Sequence, residues 1–412
     1  MTSTFLLYID PGTGSMLFSL FIGLAAAVTF GLRALVLKLK FIVSGGRAGK
    51  ADESKTLPLV IFSDHKRYWN VFKPICDELE KRGVDAVYYT ASADDPALAA
   101  GYAHVTAEYL GEKNKPYAKL NFLHADVLLA TTPGLGVYQW KRSKDVKCYV
   151  HIPHSVCDFA GYRMFALDYY DSVIASGENQ LGSMRKLEAL RPSLKQKEFA
   201  VVGSTYLDAM KKRLDLLPPR AKNARKVVLV APTWGKSGIL SKFGEQFLSA
   251  LSTTDFDVVI RPHPQSVVSE QHILQPLQEK FTSFAWNYDN DNFDILNKAD
   301  IMITDFSGVI FDYSLVFDKP LIYTDTEFDS LPYDADWLEE PMWEFTILDK
   351  LGIPLKESQF GDMQRIISEA IASESLKASR QEVRDAAWQN RGKAAESVVD
   401  FLLAKQKAVT AK

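Results

Sequence analysis

The chain has 412 residues, 47% hydrophobic and 24% charged, which excludes a disordered or collagen-like protein and implies roughly two or three domains. With 48 basic against 51 acidic residues the net charge is −3, so no global field favours nucleic acid. Cys76, Cys148 and Cys157 form no CxxC pair, which suits a reducing compartment and speaks against a disulfide scaffold or a zinc site.

At the N-terminus, Pro11 to Leu32 carries no charged residue, and Met16 to Leu32 is almost continuously apolar. At about 1.5 Å per residue the stretch is long enough for the ~30 Å hydrocarbon core. A cleaved signal peptide is one competing reading, with Ala25-Ala26-Ala27 imitating a cleavage site, but no Lys or Arg precedes the apolar run. A buried core helix is the other. Arg33, Lys38, Lys40, Arg47 and Lys50 follow the run and point its C-terminal side towards the cytoplasm. The sequence therefore predicts a single-pass transmembrane helix at the cell inner membrane, N-terminus out, joined to cytoplasmic domains by a linker that ends at 56.

Strands are predicted at Leu59–Ser63, Val84–Thr90, Asp126–Thr131, Lys147–Ile152, Ser172–Ser176 and Phe199–Gly203. Between the first two, Trp69, Phe72, Cys76 and Leu79 recur at helical spacing up to Gly83, a C′ residue. Glu178–Leu190 reads as another helix. Such alternation means a parallel sheet covered on both faces. Leu216–Arg225, with two prolines, breaks the pattern. It restarts with strands at Val227–Ala231, Asp257–Ile260, Ser283–Trp286, Ile301–Thr304 and Leu321–Tyr323. The fold class is α/β, with two Rossmann-like domains, 57–215 and 216–412, facing a central cleft. The C-terminal stretch, rich in Ala, Glu, Lys and Gln, reads as one or two helices packing back on the domains.

Residues just past the carboxyl end of a parallel strand face the ligand crevice, and the chemistry-bearing residues gather there. Arg261-Pro262-His263-Pro264 offers a stiff donor pair for phosphate, or a surface turn in which Arg261 meets an acid. Thr304-Asp305-Phe306-Ser307-Gly308 leads from strand to helix, where the N–H groups of Ser307 and Gly308 would receive an anion. Ordinary capping by Asp305 or Ser307 is compatible with that, and Asp312 reads as a structural pairing residue. In His151-Ile152-Pro153-His154, His154 is placed to accept a proton near neutral pH, while His151 reads as a buried histidine satisfying carbonyls. Thr233 to Gly238 forms a polar loop without P-loop spacing, and Ser204 and Asp64 stand at further strand ends. The pairs Asp255/Asp257, Asp289/Asp291 and Asp334/Asp336 have D-x-D spacing, too common to assign a metal.

Pro153-His154-Ser155-Val156, Pro232-Thr233-Trp234-Gly235, Arg261-Pro262-His263-Pro264 and Thr304 to Asp312 occur in the order of four motifs: W-H-G-T, P-T-W-R, R-x-H-P and [ST]-D-[YF]-S-S-x-x-F-D. Gly203 to Asp208 is loosely similar to a fifth, G-Y-P-R-N-D. On these residues the chain resembles the CDP-glycerol glycerophosphotransferase family, the teichoic-acid primases and polymerases of GT-B architecture. Ser155, Gly235 and Gly308 depart from the pattern, standing where the family has Gly, Arg and Ser. The resemblance implies that an acceptor hydroxyl attacks the β-phosphorus of CDP-glycerol and releases CMP. Catalytic roles fall to His154, as general base, and His263; Arg261, Thr233, Asp305, Ser307 and Gly308 would bind the donor. Asp64, His151 and Ser204 are possible acceptor or cleft residues, with no metal and no cofactor. The implied partners are a CDP-linked polyol donor, a lipid-linked or polymeric acceptor and the membrane. A GT-B glycosyltransferase using a nucleotide sugar, or a non-catalytic anchored homologue, are the rival readings.

Overall fold

Two series of short apolar strands build two parallel sheets of the same topology. The computed structural model describes residues 28, 32, 56–219, 225–289, 291–324 and 337–411. Apart from Val28 and Leu32, the expected membrane span lies outside the described residues, as do most of the linker and Asp334 and Asp336. Among the described residues no helix is long and apolar enough to cross a membrane.

The first sheet contains β1 (Leu57–Ser63), β2 (Ala86–Thr90), β3 (Val105–Tyr109), β4 (Ala125–Ala130), β5 (Val146–His151), β6 (Ser172–Ala175) and β7 (Glu198–Val201), in the order β3-β2-β1-β4-β5-β6-β7. The second contains β8 (Val227–Val230), β9 (Asp257–Ile260), β10 (Ala285–Trp286), β11 (Ile301–Thr304), β12 (Leu321–Thr324) and β13 (Gly352–Leu355), in the order β10-β9-β8-β11-β12-β13. Every residue of β4 and of β8 is buried, as helices on both faces of a parallel sheet require. The strand order reverses between β1 and β4, where Val60 pairs with Leu128, and between β8 and β11, where Val228 pairs with Ile301. Those two switch points are where the carboxyl ends of the strands open a crevice.

Residues 56–412 form one compact unit. A shared apolar cluster joins the halves: Val156, Leu207 and Met210 pack with Ile310, Phe311 and Trp388. The last helix, Ala394–Thr410, was expected with the second domain but packs on the first sheet instead, with Val398, Val399 and Leu402 against Leu59, Phe72 and Val127. Asp208 secures this return, accepting hydrogen bonds from Trp388 Nε1 (2.8 Å), Gly392 N (2.8 Å) and Ala394 N (3.0 Å).

Candidate active site

In the second half the loops after β8 and β11 are tied together by one carboxylate. Asp305 accepts backbone N–H bonds from Thr233 (2.9 and 3.0 Å), Ile239 (3.1 Å), Phe306 (2.8 Å) and Ser307 (3.1 Å). Burial pushes Asp305 up to about 6 against the pull of those donors. Both expectations at this motif change accordingly. Asp305 holds the loops through its carboxylate, and the N–H of Ser307, expected to receive an anion, is already donated to it. Gly308 marks the meeting of the lobes: a Cβ there would lie 3.5 Å from Cys157 Sγ, an ordinary contact. Gly235 has a φ of +91°, so the Arg that the family pattern has at that place would be strained here.

The Arg261–His263 pair divides. Arg261 follows β9 and turns to the loop after β10, donating to Asn287 Oδ1 and to the carbonyl of Asp289 (2.8 Å). Its partners are an amide oxygen and a main-chain carbonyl rather than the acid of the surface-turn reading, and they occupy the guanidinium expected at the phosphate. His263 caps the helix Pro264–Ser269, its Nδ1 accepting from Gln265 N at 3.1 Å. That bond leaves the proton of the neutral imidazole on Nε2, where it can be donated to a ligand oxygen. Burial, with Arg67 second, lowers the His263 pKa to about 4.

In the first half, His154 follows β5 and its ring is open to water. Its ring lies 5.2 Å from that of Tyr68 and 6.4 Å from that of Tyr162, whose hydroxyl is 3.4 Å from Nδ1. The dense surrounding protein, and then Arg67, lower its pKa to about 4. The loop carrying it is clamped from behind: Gln180 Nε2 donates to the carbonyls of Ser155 (2.9 Å) and Cys157 (2.8 Å), and Asn179 Nδ2 to that of Val156 (3.0 Å). Nothing in the sequence pattern singles out Asn179 or Gln180.

His151, the last residue of β5, is 0% exposed and enclosed by Tyr170 (5.1 Å), Tyr162 (5.5 Å) and Phe159 (5.9 Å). It bonds no carbonyl among the described residues, and burial followed by His154 lowers its pKa to about 3. The expectation of a carbonyl-satisfying or cleft-facing His151 therefore gives way to a buried neutral ring. Ser204 caps the helix Thr205–Asp215, its Oγ accepting from Leu207 N at 3.2 Å, and so serves the chain's turn rather than a ligand. Asp64 stands at the β1/β4 switch point beside Thr132; burial raises its pKa, with Arg67 opposing. Asp312 behaves as expected of a pairing residue, accepting from Tyr206 Oη (3.0 Å) and Asn292 Nδ2 (3.1 Å).

The charge of Arg67 acts on the imidazoles of His154 and His263 and on the carboxylate of Asp64, which puts the four groups in one neighbourhood. Glu344 was not singled out from sequence. It accepts from Asp158 N at 3.0 Å, and burial raises it to about 7. A separate groove of about 1460 Å³ runs between the helices Trp69–Lys81, Thr205–Asp215 and Lys377–Ala387, and of the motif residues only Asp208 lines it among the described residues. Its charges are largely paired with one another, as in Lys73–Asp77 and Lys211–Asp215.

Two Rossmann-like lobes facing a shared cleft define a fold of GT-B type. Among solved structures, the chain is similar to the wall teichoic acid polymerase TagF, at 15% identity and a TM-score of 0.55, covering 95% of this chain and 99% of that one. A variant of that polymerase after a 15 minute soak with CDPG gives 15% identity and 0.54, covering 92% and 98%. A protein described as a UDP-N-acetylglucosamine 2-epimerase from Listeria monocytogenes gives 12% identity and 0.55, covering 86% and 98%. At such identities the likeness is one of fold. No curated protein sequence matches the chain. Residues 203–402, just under half of the chain, match the family CDP-Glycerol:Poly(glycerophosphate) glycerophosphotransferase. The resemblance drawn from the motifs is borne out there, and the protein is a glycerophosphotransferase-like transferase.

Proposed function

We propose that the chain transfers glycerol phosphate, or a related polyol phosphate, from a CDP-linked donor to a hydroxyl of a lipid-linked or polymeric cell-envelope acceptor. The hydroxyl oxygen bonds to the β-phosphorus, the bond from that phosphorus to CMP breaks, and the hydroxyl proton passes to His154 Nε2 or Nδ1. Such a transfer asks a protein for positioning and charge stabilisation more than for covalent chemistry. His263 donates from Nε2 to the diphosphate, and the loops held by Asp305 enclose the donor. The observation that supports the reading is that His154 from one half, 5.2 Å from the Tyr68 ring on which Arg67 stacks, and His263 from the other both feel the charge of Arg67. Anchoring by residues 11–32, with the lobes on the cytoplasmic side of the inner membrane, would confine the enzyme to the surface where a lipid-linked acceptor diffuses.

Nucleotide release from CDP-glycerol, CDP-ribitol and a panel of UDP-sugars tests the reading. CMP release from a CDP-polyol alone is the expected result. Preference for a UDP-sugar would establish the glycosyltransferase reading that the epimerase-like fold leaves open, and binding without turnover the non-catalytic one.

A further inference from the structure

Phosphoryl transfer needs positive charge beside the diphosphate as it splits and charge gathers on the departing CMP, and the cleft is short of it. Arg261 is engaged by Asn287 and Asp289. His154 and His263, each with a pKa near 4, bring neutral rings at pH 7. Another cation must serve, and the turn after β1 supplies one.

His65 caps the short turn Lys66–Tyr68, its Nδ1 accepting from Arg67 N at 3.1 Å. The turn sends its two cations to different fates. Lys66 is ion-paired with Asp94, whereas Arg67 is exposed and makes no ion pair with any carboxylate among the described residues. The Arg67 guanidinium lies 5.0 Å above the Tyr68 ring, and that ring in turn lies 5.2 Å from the ring of His154. Stacking on Tyr68 holds the planar fork beside the general base, and a guanidinium fork matches two phosphate oxygens at once. The Arg67 charge also acts on Asp64, whose carboxyl is buried at the strand end.

We propose that Arg67, on the first lobe, is the cation that binds the diphosphate of the donor opposite His263, the role expected from sequence for Arg261. The assignment rests on the reading of the cleft as a site for a CDP-linked donor. It also sets the orientation of that donor, whose β-phosphoryl group would lie between Arg67 and His154.

Titration calorimetry of the full-length protein in detergent with CDP-glycerol, CDP and cytidine, on wild type, R67A and R67K, provides the test. R67A should weaken CDP-glycerol and CDP binding about ten- to a hundredfold, the scale of a charge-assisted hydrogen-bond pair, and leave cytidine binding and Tm unchanged. R67K should recover part of the loss, because it keeps the charge without the fork. R67A binding CDP-glycerol as tightly as wild type, or losing cytidine equally, overturns the assignment while the functional reading stands. A wild type that binds neither CDP-glycerol nor CDP overturns both.

Discussion

A histidine that is neutral at pH 7 can take a proton from an alcohol without first having to lose one. The protein packed around the exposed ring, and then the Arg67 charge, lower the His154 pKa to about 4 and keep it in that state. The acid limb of its pH–rate profile should therefore fall near pH 4 rather than near the 6.5 of a free imidazole. His154→Ala should lower kcat by about two to four orders of magnitude with donor affinity retained, as single-turnover kinetics and nucleotide titration would measure. Unchanged kcat would remove His154 from the chemistry. Asp305 acts differently, by holding four backbone N–H groups in two loops. Asp305→Asn turns one acceptor oxygen into a donor facing those groups, and should cost about 1–3 kcal/mol in thermal or urea unfolding. Glu344 gives a pH signature of stability. Its carboxyl is raised from the ordinary 4.5 to about 7 by burial, so its contribution is complete below about pH 4.5 and is lost as pH rises through 7. Glu344→Gln should flatten the fall in Tm between about pH 4.5 and 7. The full shift corresponds to on the order of 3 kcal/mol, reduced by the water that reaches the side chain.

At the level of elements, the interior strands could be read from sequence because a strand buried on both faces must be apolar throughout. β4 and β8 show this, as does the helix Trp69–Lys81 with its apolar face and the left-handed Gly83 (φ +63°) after its C-cap. β3 and β13 were not legible, and both are edge strands. β3 exposes most of its residues, and β13 contains Pro354, so neither carries the apolar run of an interior strand. The helix Ala394–Thr410 was legible as a helix, but its destination was not, since an apolar face does not name the sheet it will cover. Removing it would uncover Val398 and Leu402 contacts of the first core. A chain ending at Lys393 should therefore lose cooperative unfolding of the first lobe, visible as an early calorimetric transition. Normal melting would show that the helix adds no stability.

For the whole molecule, the proposed anchor separates binding from access. A chain starting at Thr56 should keep CDP-glycerol binding and act on short water-soluble acceptors, yet lose activity on acceptors embedded in bilayers. Equal activity of both forms on vesicle-borne acceptor would count against anchoring by residues 11–32. The alternation of strand and helix, the two-lobed plan and the motifs at the strand ends follow from sequence alone, because local periodicity and turn chemistry act between near neighbours. Which motif side chains face the cleft was decided by tertiary structure. Arg261 found Asn287 and Asp289 on a neighbouring strand's loop, Asp305 found the N–H groups of Thr233 and Ile239, and Arg67 came to stand beside His154. Each of those partners is distant in sequence and adjacent only once the parallel strands are paired, so no local pattern could have assigned them.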